Sequence, residues 1–418
     1  MQPKSTPKTV QRTENTTIAL LMGVYIVDYV DRVMIATALP LIGAEFGLNR
    51  TEQGLVVSAF AIAYMAGQFP AGLLADRIGS RRLLVISLAA WSAFTAATSL
   101  APGLVALLVL RALFGISQAL FPTASFKTLT ERTRPGARSR SAGLMIASNN
   151  LGAGLGPLIV APVVVMTGWR HTFWIIAAAG LVVGLLLWRL MPPPLPRELT
   201  VSGTEELDSA APVRAVLRNG LVLRCALMFA CYNMLTYGMI TWVPSYLMEA
   251  RGMSMVQAGV SSAVPPLVAA FAVALGGQLM SRGLDTDPRR LVVPALLVSA
   301  ALLVAMLLTD STTAFTVLQS LAMFSAGLSS IGIIGMPLRA LPRDVVGSGM
   351  GLVNTGGQLA GVLAPLVMGW LADRSGFPAA FGFLALATAA AACISLTTRP
   401  LSPGTSHFSV RPKVPEAS

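Results

Sequence analysis

"GLMIASNNLGAGLGPL", residues 143–158, is echoed by "GLVNTGGQLAGVLAPL", residues 351–366. At this shift of 208, Gly143-Leu144 meets Gly351-Leu352, Asn150-Leu151 meets Gln358-Leu359, and Pro157-Leu158 meets Pro365-Leu366. Further on, Gly168 meets Gly376 and Phe173 meets Phe381. Earlier in each half a shift of 205 aligns Gly47-Leu48 with Gly252-Met253, Glu52 with Gln257, Gly54 with Gly259, Gly72 with Gly277 and Arg77 with Arg282. Chance does not put glycines and prolines at matching depths in successive segments. The chain is one design written twice.

The design is apolar. Of 418 residues, 54% are hydrophobic and 11% charged, against roughly 25% charged in soluble domains. Apolar runs recur along the whole length, each near the ~20 residues that cross a bilayer as a helix. Twelve spans are expected, at 17–44, 54–75, 82–101, 104–127, 141–166, 172–190, 221–247, 255–280, 290–308, 313–338, 347–372 and 378–397. The fold class is therefore an all-α polytopic membrane protein, with twelve transmembrane helices in two pseudo-symmetric six-helix bundles. The expected division is a tail at 1–16, an N-terminal half at 17–190, a linker at 191–220, a C-terminal half at 221–397 and a tail at 398–418. The stretch Pro192–Pro212, rich in Pro, Ser, Glu and Asp, makes the linker polar. Halves of this kind hold a substrate near the midplane between them and rock to expose it to each side in turn.

The net charge of +12 invites a nucleic-acid reading, but its placement excludes one. With the N-terminus inside, only Arg50, Arg170, Arg251 and Arg374 fall outside, and Arg32 and Arg111 fall within the membrane. The other basic residues sit on cytoplasmic segments, which is the positive-inside asymmetry. It predicts both termini in the cytoplasm, with contact to membrane lipids; arginine outnumbering lysine and abundant alanine point to a bacterial source, and so to the inner membrane. Cys225, Cys231 and Cys393 have neither metal nor disulfide spacing. The only histidines are His171 and His407, too few for Ser-His or metal chemistry at membrane depth. An enzyme, a cofactor and a metal are not expected. With no sizeable soluble domain, a sensor has little to support it.

Within the first span, "YIVDYVDRVM" (Tyr25–Met34) places two acids and an arginine in five residues. One charge at the bilayer centre costs from about 3 to above 10 kcal/mol, so these groups must pair or face water. Asp28 and Arg32 are four apart with the acid first, a favourable helical pair. Asp31 points elsewhere. Arg111 and Gln118 are seven apart and share one face of the fourth span. The repeat sets Asp28, Asp31, Arg32 and Arg111 against Asn233, Thr236, Tyr237 and Gln319. The N-terminal half thus handles charge, and the C-terminal half supplies a neutral hydrogen-bonding wall.

"GLLADRIGSRR", Gly72–Arg82, resembles the signature loop between helices two and three of the major facilitator superfamily. The resemblance implies that Asp76, Arg77, Arg81 and Arg82 latch the cytoplasmic face; the second copy, Gly277 to Arg282, has lost its acid. Within the superfamily the chain resembles the anion:cation symporters, through "DYVDR", "RALFGISQALFPTASFKTL", "GWRHTFWI", "TWVPSYL" and "GSGMGLVNTGGQLAGVLAPLVMGWLAD". That family carries galactonate, hexuronates, phthalate, tartrate and similar anions. By position its helix-one pair falls on Asp31-Arg32 and its helix-four arginine on Arg111. Many members have a proton-coupling glutamate where this chain has Gln118, and usually an asparagine where it has Asp28.

The expected function is proton-coupled uptake of a small carboxylate-bearing anion by a monomer. Asp31 carries the proton, with Asp28 compensating for the missing glutamate. Arg32 and Arg111 clamp the carboxylate, since a guanidinium fork donates two parallel hydrogen bonds. Gln118, Tyr25, Asn233, Tyr237, Thr241, Gln319, Asn354 and Gln358 are the expected wall of the site. Asn149 and Asn150 could serve there or between helices. Gly152, Gly154, Gly156 and Pro157 are expected to allow close packing. Trp169-Arg170-His171 is expected to anchor an interface, and Lys127, Arg132, Arg134, Arg138 and Arg140 to form a solvated basic run. Three alternatives stay open: a proton-coupled exporter, an aromatic-acid:proton symporter (suggested by the Asp28-x-x-Asp31 spacing), and purely structural pairing of Asp28 with Arg32 and Asp31 with Arg111.

Overall fold

Long apolar runs without charge can satisfy their backbone within a membrane only by coiling into helices, and the chain does so almost throughout. The computed structural model describes residues 7–200, 219–280, 287–341 and 343–398. Its helices are α1 Pro7–Phe46, α2 Arg50–Ile78, α3 Ser80–Thr98 and α4 Leu104–Arg132, then α5 at 135–167 and α6 at 169–190. A one-turn helix follows at Arg197–Thr200. The second half holds α7 Gly220–Glu249, α8 Met255–Leu279, α9 Arg289–Leu307 and α10 Thr312–Ala340, then α11 at 343–375 and α12 at 377–397. Most helices run some residues beyond the expected spans. By length and apolar composition, seven continuous helices could cross a membrane, and they take in every segment except α1, α2 and α3. In α1 the shortfall is the Asp28, Asp31 and Arg32 group.

The repeat survives in the backbone. Gly168 (φ 80°, ψ 160°) divides α5 from α6, and Gly376 (φ 78°, ψ 172°) divides α11 from α12. Gly47 and Gly252, which close α1 and α7, both have φ 64°. Each pair is related by the shift read from the sequence. Positive φ is open to glycine at no steric cost, and this is why these four positions stay glycine in both copies.

The halves meet through α2 on α11, α5 on α8 and α1 on α7. The first two seams are copies of one another. A Cβ on Gly54 would stand 2.4 Å from the Pro365 carbonyl oxygen, and one on Gly259 2.9 Å from that of Pro157. Backbone touches backbone at both crossings, as small residues permit. Ser58 Oγ adds a hydrogen bond to the Val362 carbonyl at 2.7 Å. These crossings lie toward the face remote from the termini, here the distal face.

The distal rim is latched by charge. The Asp373 carboxylate on α11 accepts the first two backbone N–H groups of α2, from Arg50 (3.0 Å) and Thr51 (2.7 Å), and the Thr51 hydroxyl (2.5 Å). An acid from one half thus caps a helix of the other, satisfying unpaired N–H groups at the positive end of its dipole. Arg50 reaches onward to Glu249 at 3.1 Å and lies over the Phe377 ring.

The opposite, terminal face is tied within each half. Buried Glu14 accepts three hydrogen bonds from Arg134 at 2.8–2.9 Å. Buried Arg132 joins Glu131 at 2.8 Å and donates to the Pro192 carbonyl, and Arg138 donates to that of Thr200. The basic run expected to be solvated is therefore partly structural, because each arginine here meets an acid or a helix-end carbonyl. In the C-terminal half Arg289 pairs with Asp287 and donates to the Thr398 carbonyl.

Two outcomes test these contacts. Gly54→Leu should prevent distal closure, so that Val57→Cys in a cysteine-free background reacts several-fold faster with a membrane-impermeant thiol reagent. Unchanged labelling would show that the seam does not set closure. Hydrogen bonds from Arg134 hold the Glu14 carboxyl below its usual 4.5. A lowered carboxyl stabilises the folded state above its unfolded value and ceases to do so as pH falls through its folded one. Amide protection at the start of α1, taken relative to the intrinsic exchange rate at each pH, should therefore be high at neutral pH and fall below pH 4.5, and Glu14→Gln should show low protection at both.

Candidate functional site

The charged cluster of α1 is buried where the two halves meet. Asp28 and Asp31 are each 1% exposed. Arg32 Nε lies 3.3 Å from Asp28 Oδ2, one helical turn away. Its guanidinium is surrounded by the rings of Tyr64 (4.5 Å), Tyr29 (5.2 Å) and Phe60 (5.3 Å). Such cation–ring contacts are strongest where water is excluded. Asp31 faces the other way, and its Oδ2 accepts the Thr95 hydroxyl of α3 at 2.7 Å.

Arg111 on α4 is also 1% exposed, packed against Phe114 (4.7 Å) and Phe173 (5.6 Å). Its charge acts on Asp31 through space, yet among the described residues no carboxylate lies within ion-pair distance of it. Its Nε and Nη2 have no hydrogen-bond partner. These two N–H groups form the side-on edge of the guanidinium, which takes both oxygens of a carboxylate. Gln118, two turns along the same face of α4, is fully buried, and its amide lies beside Asp28.

Arg32 and Arg111 open into one cavity of about 60 Å³. Tyr29, Tyr237, Thr241 and Gln358 supply its other polar groups; Val33, Val57, Phe60 and Ile240 are among its apolar walls. Five expected residues thus meet here: Arg32, Arg111, Tyr237, Thr241 and Gln358. Gln319 opens into a smaller adjoining space with Ser262, Pro265 and Pro266, which shares Val33 and Ile240 with the first. The Gln319 Oε1 and Ser262 Oγ atoms are buried and unpartnered.

Other expected residues lie elsewhere. Tyr25 does not line the cavity. It is buried against Phe121, ring centroids 4.7 Å apart, in the apolar core of the N-terminal half, because its position on α1 faces α4 rather than the other half. The Asn233 side chain donates back to the Phe229 carbonyl of its own helix. Asn354 is exposed on α11 and Asn150 half-buried on α5; the Asn149 Oδ1 atom is buried without a partner. Gly152 packs against Ile26 and Tyr29 of α1, Gly154 against Leu267 of α8 and Gly156 against Val33, so this run does bring helices close. Trp169 and Arg170 both bind Glu45 at 2.7 Å, and His171 meets the Thr167 carbonyl. Arg81 and Arg82 lie beside α6 of their own half, and Arg77 is exposed. The side chain of Asp76, residues 281–286, and the linker stretch 201–218 lie outside the described residues.

Sequence reasoning missed Tyr29, Tyr64, Phe60 and Thr95. Tyr29 was within reach, since it stands three residues before Arg32 on the same face. The others come from α2 and α3 by tertiary packing alone.

The pattern of the Major Facilitator Superfamily matches residues 21–336 and 284–415. A protein named "Probable sulfoacetate transporter" from Cupriavidus necator is 31% identical over 385 residues, 87% of this chain and 89% of that one. The hexuronate transporter of Bacillus subtilis is 28% identical, covering 85% and 87%. The D-galactonate transporter of Escherichia coli is 29% identical, covering 88% and 91%. In fold, a bacterial homologue of the human lysosomal transporter Spinster, crystallised inward-facing and occupied, superposes with a TM-score of 0.80 over 91% of this chain and 95% of that one, at 18% identity. A twelve-helix fold in two related halves, a cavity between them and relatives that move organic acids agree: the chain is a membrane transporter, not an enzyme, and belongs to the Major Facilitator Superfamily.

Proposed function

We propose that this transporter takes up a small organic anion with at least one carboxylate, together with protons, by alternating access. The observation that carries the proposal is the buried Nε/Nη2 edge of Arg111, left without a partner on a side chain that lines a cavity shared with Arg32. A buried guanidinium edge with no acid on it is complementary to a carboxylate. The relatives named for sulfoacetate, hexuronate and D-galactonate all handle acids, which supports the same class. Tyr237, Thr241 and Gln358 on the facing half suit the hydroxyls of a polyhydroxy acid.

Asp31 sits behind Arg111, away from the cavity, and is the proton carrier. With Asp28, Asp31, Arg32 and Arg111 all ionised the cluster is neutral. A proton on Asp31 leaves it at plus one and removes the negative field acting on Arg111, which favours an incoming anion. Thr95 holds the ionised carboxylate and can turn its hydroxyl when the proton arrives. Asp28 stays with Arg32 and keeps that arginine poised beside its rings. One proton per monoanion is electroneutral. A second lets the membrane potential contribute, at about 2.3 kcal/mol per 100 mV for each charge. The basic asymmetry supports cytoplasmic termini, and in that orientation the distal seal supports an inward-facing reading of this state.

Proteoliposomes loaded at neutral pH and diluted into acid medium test this with a panel of sugar acids and sulfonates. Uptake should accumulate against a gradient and vanish when the pH difference is collapsed; loss of preloaded anion instead would mark an exporter. Asp31→Asn should abolish accumulation yet keep anion exchange at equal concentrations. Arg111→Ala should weaken anion binding about 10- to 100-fold, since a charge-assisted hydrogen bond is worth roughly 1.5–3 kcal/mol. An Asp31→Asn protein that still accumulates substrate would remove Asp31 as the coupling residue.

A further inference from the structure

Arg81 and Arg82 belong to a second feature, outside the transport cavity. They open the first turn of α3, and Trp188 and Arg189 close the last turn of α6. With Val85 and Ile86 they line a groove of about 580 Å³ on the outer side of the N-terminal half, at the terminal face. Arg81 donates through Nη2 to the Trp188 backbone carbonyl, which fixes its head between the helices, and its Nε is buried without a partner. Among the described residues, no acid forms an ion pair with Arg81, Arg82 or Arg189. The acid at the end of α4, Glu131, is already engaged by Ser80 Oγ at 2.6 Å and Arg132 at 2.8 Å. The N-cap of α3 is Gly79, with no side-chain cap, so the positive end of that helix adds to the three guanidinium groups.

We infer that this groove binds an anionic phospholipid, with its phosphate on Arg81, Arg82 and Arg189 and an acyl chain along Ile86, Val85 and Trp188. Two features select a lipid over a soluble anion. Ile86 and Trp188 are 48% and 53% exposed, one turn deeper in the membrane than the arginines on α3 and beside them on α6. That order, charge at the headgroup level and aliphatic surface beneath it, matches a phospholipid along its length. Trp188 stands where an indole ring favours the interface. Basic pockets between helices on the cytoplasmic side are suited to anionic headgroups, and α3 and α6 meet closely through Gly180 on Ser92 and Gly184 on Leu88. This goes beyond the proposed transport reaction and does not depend on it. It also gives Arg81 and Arg82 work in the conformation observed, where they contact their own half.

Native mass spectrometry of the full-length protein in detergent tests the inference, using phosphatidylglycerol, phosphatidylcholine with the same chains, and inorganic phosphate. Phosphatidylglycerol should stay bound where phosphatidylcholine does not, and millimolar inorganic phosphate should not displace it. Each arginine contributes about fivefold, so R81Q/R82Q/R189Q should weaken phosphatidylglycerol binding on the order of 100-fold, whereas Arg140→Gln should not change it. Arg82 and Arg189 are exposed, so single R82Q and R189Q variants decide the matter if the triple variant does not fold. Equal retention of both lipids, full retention by the arginine variants, or displacement by phosphate would each overturn the proposal.

Discussion

A guanidinium held at membrane depth needs a counter-charge, and the N-terminal half is arranged around two of them. Leaving one uncompensated costs from about 3 to more than 10 kcal/mol. Arg32 is compensated locally, by Asp28 one turn away and three aromatic rings. Arg111 is not compensated to the same degree. Two rings flank it and Asp31 acts on it from a distance, while one buried edge keeps two unpartnered donors. A transporter gains from that inequality. A fully paired arginine would have no reason to bind an anion, and an unpaired one with nothing nearby would be too costly to bury.

The C-terminal half has a complementary constraint. Where the N-terminal half has Asp31, Arg32 and Arg111, it has Thr236, Tyr237 and Gln319. Neutral groups cost less to desolvate than ions, so this half needs no counter-charge of its own at the cavity. Tyr237 is held by contact with Gly361, and its ring reaches the shared cavity. Differentiation of two copies, rather than addition of new parts, therefore turns a symmetric scaffold into one with a charged pole and a neutral pole.

Much of this was legible because it is carried by pattern. The shifts of 205 and 208 place the glycine pairs Gly47/Gly252 and Gly168/Gly376, and each pair adopts one backbone conformation. Burial of Asp28, Asp31 and Arg111 follows from apolar neighbours on both sides. Helix periodicity anticipates the Asp28–Arg32 pair. What depends on helix rotation was not legible. The side that Tyr25 presents is decided by packing against Phe121, and no spacing within α1 reveals it. Thr95 reaches Asp31 from a helix with no other link to the cluster in the sequence. Arg50 was expected only as a residue outside the membrane and Asp373 was given no role, because a helix cap contributed by another half leaves no local signature.

That cap also breaks the symmetry of the seams. Gly54 on Pro365 and Gly259 on Pro157 are the same crossing made twice. At the rim the copies part: Arg50 is matched by Met255 and Asp373 by Val165. Met255 packs into the apolar cluster with Trp169 and Phe173, whereas Asp373 holds the exposed start of α2. One seam is thus closed by apolar contact, which is indifferent to ions. The other is closed by a carboxylate that accepts three hydrogen bonds at a helix N-terminus, where the interaction with the helix dipole is screened by salt. The polar closure lies on the seam whose helices also carry Val57 and Gln358 into the cavity, so the rim and the site share the same two helices.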